Sequence, residues 1–134
     1  MRRVGFTLIE LLIVVMIIGI LATIAIPKFA NTKTRAYIAS MKSDLRNLLT
    51  SEESFFADSI KYSGNTSCTT PPTVGTVNFC PSAGNNLTGP TVIGGGWRAT
   101  ITNNNVTSPL VTCAIFVNTP AVAPATKEGV AACQ

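Results

Sequence analysis

From Phe6 to Ile26 the chain runs almost without polarity, and the single charge in that stretch is Glu10. As a helix this run is about 31 Å long at about 1.5 Å per residue, close to the roughly 30 Å hydrocarbon thickness of a bilayer. A helix apolar on every side needs lipid or other helices around it, not one face of a small core. Arg2 and Arg3 before the run favour a cytoplasmic N-terminal side, while Lys28, Lys33 and Arg35 beyond it blunt the asymmetry. A secretory signal has a shorter apolar core followed by a small-residue cleavage site. Here the small residue that can mark a cut, Gly5, precedes the run. Cleavage there leaves the anchor on the mature chain.

Pro27 closes the run, lacks an amide hydrogen and disfavours helix at Ile26, so a kink or local break is expected there. Gly19 is a second weak point, costing about 1 kcal/mol relative to alanine. Beyond Pro27 the pattern turns amphipathic. Tyr37, Ile38, Met41, Leu45, Leu48, Phe55 and Phe56 recur at helical spacing among Lys42, Asp44, Arg46, Glu52 and Glu53. One helix from Phe6 to about Ile60 would be about 80 Å long, too long for a compact domain, so it must be half embedded and half packed. The expected organisation is a basic leader over 1–5, a membrane half over 6–27, an amphipathic half over 28–60 and a globular head over 61–134.

The head has strand composition over Val74–Phe79, Trp97–Thr102 and Leu110–Val117, with turns expected at Gly94-Gly95-Gly96 and Asn103-Asn104-Asn105. Trp97, Ala99 and Ile101 alternate with Arg98, Thr100 and Thr102, which gives a sheet one apolar and one polar face. The fold class that follows is α+β, a long N-terminal helix laid on a small antiparallel sheet. The tail from Asn118 onward is expected to be extended and tied back by Cys133.

Function classes narrow quickly. The net charge is +4, but past residue 60 the charged residues are Lys61, Arg98, Lys127 and Glu128. That is sparse for phosphate contacts, so no specific nucleic acid is expected. The chain has no histidine, and its four cysteines (Cys68, Cys80, Cys113 and Cys133) include no CxxC pair. Neither a familiar zinc pattern nor a catalytic constellation can be assembled, and no enzyme activity, cofactor or metal is expected. An even cysteine count downstream of a membrane-type segment reads as two disulfides formed in an oxidising compartment.

The segment Gly5-Phe6-Thr7-Leu8-Ile9-Glu10, followed by LLIVVMIIGILATIAIP, resembles the N-terminal signature of type IV pilins and related pseudopilins. The likeness is detailed over residues 1–29 and looser to about residue 60. It implies that a prepilin peptidase cuts between Gly5 and Phe6 and methylates the new Phe6 amine. Gly5 suits a tight protease site and keeps helix from starting upstream of the cut. A carboxylate at the centre of a membrane helix costs about 2.5–3.5 kcal/mol, and less near an end, so an intramembrane acid implies a partner. For Glu10 the family implies the Phe6 ammonium of a neighbouring subunit. The local alternative is that Glu10 answers its own chain's amine and the helix dipole.

Gly19 and Pro27 match family positions bracketing a stretch that loses helical structure in the fibre. Among three possible cysteine pairings the resemblance favours Cys113–Cys133 around the C-terminal segment, which leaves Cys68–Cys80 to staple the loop after the helix. The implied function is a structural pilus subunit serving adhesion, twitching motility or DNA uptake. Its implied partners are other pilin subunits, the peptidase, and the assembly platform with its ATPase. It would stand in the bacterial inner membrane before assembly and in an extracellular filament afterwards. The alternative is a major pseudopilin of a type II secretion system. Such proteins usually hold calcium through acidic residues in a C-terminal loop, where this chain has only Glu128.

Overall fold

The computed structural model describes residues 5–134, without the side chains of Pro27 and Ala30. Of the expected leader, residues 1–4 (with Arg2 and Arg3) lie outside the described residues. The first element, α1, spans Leu8–Ser59. The interruption expected at Pro27 is absent, and α1 continues as one helical element across Gly19 and Pro27. A proline removes one ladder donor and leaves the turns on either side to propagate. The helix ends at Ile60, whose φ of 55° is left-handed, with its amide donating to the Phe56 carbonyl at 2.8 Å. That is the single-bond left-handed cap, a place usually held by glycine.

The chain divides into two compact units, Met1–Thr34 and Arg35–Gln134. In the second, Met41, Leu45 and Leu48 are fully buried, with Ile38, Leu49 and Phe55 packed beside them. Their spacing puts them on one helical face. Each such burial stabilises the unit by about 1.5–3 kcal/mol. Phe56, expected on the same face, is not in this core: it is exposed and stacks on Tyr62 with ring centroids 4.6 Å apart. It lies one residue past Phe55, which turns its side chain about 100° around the helix.

The core's other wall is a sheet ordered β3 (Asn85–Ile93), β4 (Gly96–Thr107), β5 (Leu110–Val117) and β6 (Ala132–Cys133), antiparallel throughout. Trp97, Ala99 and Ile101 of β4, with Cys113 and Ile115 of β5, join the helical face in one cluster. The intervening Arg98, Thr100 and Thr102 are only partly buried. Before the sheet, β1 (Thr66–Ser67) pairs in parallel with β2 (Val77–Asn78), beside a Cys68–Cys80 disulfide.

Three features differ from the sequence expectation. The strand read over Val74–Phe79 shrinks to β2, and Val74 is almost fully exposed. Asn103, Asn104 and Asn105 lie inside β4 instead of forming a turn, and the chain reverses at Ser108-Pro109. Buried Asn103 explains this, because its Nδ2 donates to Asn85 Oδ1 at 2.6 Å while its Oδ1 accepts the Asn105 amide at 2.8 Å. A polar triplet thereby satisfies itself within a sheet that its propensities disfavour. Strand β3 lies outside the three expected strands, and it carries an internal Gly89-Pro90, a pair common in turns.

Two acids hold the unit's edges. Asp44 on α1, 3% exposed, accepts from the Ser82 amide (2.7 Å), Ser82 Oγ (2.8 Å) and Asn85 Nδ2 (2.7 Å), which ties the loop before β3 to the helix. Glu52, fully buried, accepts the Ser63 amide on Oε2 at 2.9 Å, while its Oε1 has no hydrogen-bond partner among the described residues. The segment after β5 returns across the outer sheet face, where Val122 and Ala125 pack with Ala114, Phe116 and Ala132. It is fastened by Cys113–Cys133, which joins residues directly opposite each other on β5 and β6.

Candidate functional site

The first unit carries the residues that the sequence singled out. Thr7 precedes the helix, and its backbone amide and Oγ1 both donate to Glu10 Oε2, at 2.9 and 2.6 Å. The Glu10 amide lies 3.3 Å from Thr7 Oγ1 and donates back. This is a reciprocal capping box, which satisfies otherwise orphaned donors at a helix start. Sequence reasoning missed Thr7, although the Thr-x-x-Glu spacing was its signal. The box places a carboxylate in the first turn, where the helix dipole favours it. Among the described residues Glu10 Oε1 accepts no hydrogen bond, so one oxygen caps the chain's own helix and the other is left over.

Past Glu10 the apolar side chains are exposed in every direction, from Leu11 and Leu12 to Ile24 and Ile26. Among the described residues α1 is the one helix long and apolar enough, by length and composition, to cross a membrane. Gly5 and Phe6 precede the helix, and the Phe6 ring is exposed. At Gly19 an added Cβ would touch nothing within 4 Å, so no contact inside the single chain requires a glycine there. Thr23 Oγ1 donates to the Gly19 carbonyl at 2.9 Å, a side-chain bond that competes with the helical ladder at its weakest residue. Pro27 removes a ladder donor one turn further on. The sequence-predicted residues thus fall into a capped, charged start (Gly5, Phe6, Glu10) and a weakened stretch (Gly19 to Pro27). The four cysteines all lie in the second unit.

Residues 2–26 match the family model described as the prokaryotic N-terminal methylation motif. The chain is 52% identical over 62 residues to the type IV major pilin protein PilA of Myxococcus xanthus, covering 46% of this chain and 28% of that one. It is 52% identical over 50 residues to a fimbrial protein of Pseudomonas aeruginosa, covering 37% and 32%. With the type IV narrow pilus major component PilA5 of Thermus thermophilus it shares 54% over 41 residues, covering 31% and 35%. It therefore spans about a third of the length of these curated relatives. No solved structure matches it. The methylation motif leads into a helix that no part of its own unit covers, before a disulfide-bonded α+β head, and over this N-terminal part the chain is similar to type IV pilins.

Proposed function

We propose that the chain is a structural subunit that polymerises through α1 into an extracellular type IV pilus. One observation carries the reading: an uncovered apolar helix begins on a capping box whose acid keeps one oxygen unused. In lipid the exposed side chains of this helix are solvated by hydrocarbon. Leaving the bilayer is tolerable only if equivalent helices replace the lipid. The subunit itself performs no catalysis, and its work is this exchange of surroundings.

Prepilin peptidase cuts between Gly5 and Phe6 at the cytoplasmic face of the inner membrane and methylates the Phe6 amine. The cut removes Arg2 and Arg3, whose charges would resist withdrawal into an apolar fibre core. The free Glu10 oxygen then receives the Phe6 ammonium of a neighbouring subunit and sets the register of the incoming helix. Its other oxygen remains on Thr7, so local capping and intersubunit pairing are compatible. Residues 6–27 form the fibre core, 28–60 seat the head and 61–134 face outward. Within the core, Gly19–Pro27 loses helical structure and gives the fibre extensibility. The assembly platform and its ATPase drive insertion. The relatives named above are pilus proteins, and the head has one acid past residue 60, which weighs for a pilus over a secretion pseudopilus.

The test is intact mass spectrometry of sheared surface filaments, which should show a main protein beginning at methylated Phe6. Glu10→Ala should give a cleaved, membrane-inserted subunit with filament yield reduced at least tenfold. Wild-type yield from that variant would remove Glu10 from assembly, and native filaments retaining the leader would overturn the reading as a whole.

A further inference from the structure

The outer face of the sheet holds a cleft of about 280 Å³ lined by Thr88, Thr91, Arg98, Ala99, Thr100 and Val122. Its construction depends on a bulge. Thr88 is paired with Thr100 and Thr91 with Arg98, so β3 advances three residues while β4 advances two. In a regular ladder Thr88 and Thr91 would face opposite sides of the sheet. The extra residue cancels that parity, so both threonines line the same cleft. Gly89 makes the bulge possible, with a φ of +97° and space so tight that a Cβ would sit 3.0 Å from the Arg98 carbonyl oxygen. Val122, on the returning segment, forms the far wall.

Within this cleft Arg98 is partly buried and makes no hydrogen bond or ion pair with any described residue. The hydroxyls of Thr88, Thr91 and Thr100 are likewise unengaged, and no acid is among the lining residues. A guanidinium partly withdrawn from water without a counter-ion is costly, and its planar fork fits a carboxylate in two parallel bonds. Three hydroxyls around it, each able to donate and accept, fit a ligand that itself carries hydroxyls. The volume lies just under the roughly 300 Å³ lower end of small-ligand pockets, which suits one ring and not a large ligand.

We propose that this cleft binds a carboxylate-bearing sugar residue, a uronic acid unit of an acidic polysaccharide. The competing occupant is an acid from the head of a second copy of the chain. Within the Arg35–Gln134 unit Asp44 and Glu52 are buried, Glu53 accepts from Tyr62 and Glu128 from the Asn118 amide, which leaves exposed Asp58. A lone aspartate would answer the guanidinium and leave three hydroxyls unmet. A uronate answers all four groups. The cleft lies wholly within the Arg35–Gln134 unit, so testing it does not require the chain to polymerise.

Isothermal titration of the full chain in nonionic detergent with tetragalacturonate tests this at neutral pH. The wild type should bind it, and the methyl-esterified tetramer, with the same hydroxyls and no charge, should bind at least about tenfold more weakly. Arg98→Gln should weaken tetragalacturonate binding by a similar factor and Thr100→Val by about threefold, with Trp97 fluorescence reporting that both variants are folded. Acetate, which has the charge without the hydroxyls, should not displace the tetramer at equal carboxylate concentration. The proposal is overturned if the wild type does not bind, if the ester binds equally well, if acetate competes equally, or if folded Arg98→Gln binds as before. Absent binding together with Arg98-dependent self-association would assign the arginine to a contact between copies. The ester and acetate arms use only the wild type and decide the matter even where a variant fails to fold.

Discussion

Glu52 makes the head's stability depend on pH in a calculable way. Burial pushes its carboxyl up from 4.5 to about 7; the Ser63 amide bond opposes the shift and neighbouring Glu53 adds to it. The folded chain therefore holds this proton more tightly than the unfolded chain does. The resulting stabilisation is complete below pH 4.5, is lost as pH rises through about 7, and changes no further above that. At about 1.4 kcal/mol per pH unit, the loss across this window is about 3 kcal/mol. Glu52→Gln keeps the shape and an acceptor for the Ser63 amide but does not titrate. It should match the parent near pH 4.5 and exceed it by about 2–3 kcal/mol at pH 8. Trp97 is the chain's single tryptophan and is fully buried, so its fluorescence during urea unfolding in detergent reports the head and not the apolar helix. A difference between parent and variant that stays constant from pH 4.5 to 8 would refute the reasoning, because the carboxyl would then titrate alike in both states.

Asp44→Ala deletes the acceptor of three hydrogen bonds, leaving the Ser82 amide seeking a partner and Asn85 Nδ2 held by Ser40 Oγ alone; it should cost about 3 kcal/mol in the same unfolding assay. Ile60→Gly relieves a branched residue from a left-handed φ of 55° and should stabilise the chain by about 1 kcal/mol, visible as a raised thermal midpoint.

The apolar helix, its lone acid and the alternating strand at Trp97–Thr102 were legible because each is a local pattern: composition over one span, spacing of 3.6 or of 2. Strand β5 was legible for the same reason. The Asn103–Asn105 turn misled because polar residues can be absorbed into a sheet when their side chains bond one another, which depends on Asn85 arriving from a distant strand. Strand β3 lay outside the expected strands, and pairing with β4 continues on both sides of its Gly89-Pro90 bulge.

The apolar helix long enough to cross a membrane, the α+β class and the helical face that seats the sheet could be read without the fold. Each follows from how side chains partition between water and hydrocarbon along a regular backbone. It took the folded chain to bring Asp44 to Ser82 and Asn85, to bury Glu52, and to set Arg98 among three threonines. Those are distances between groups whose separation along the chain carries no information about their separation in space, and burial and hydrogen-bond satisfaction are fixed only when the chain has closed around them.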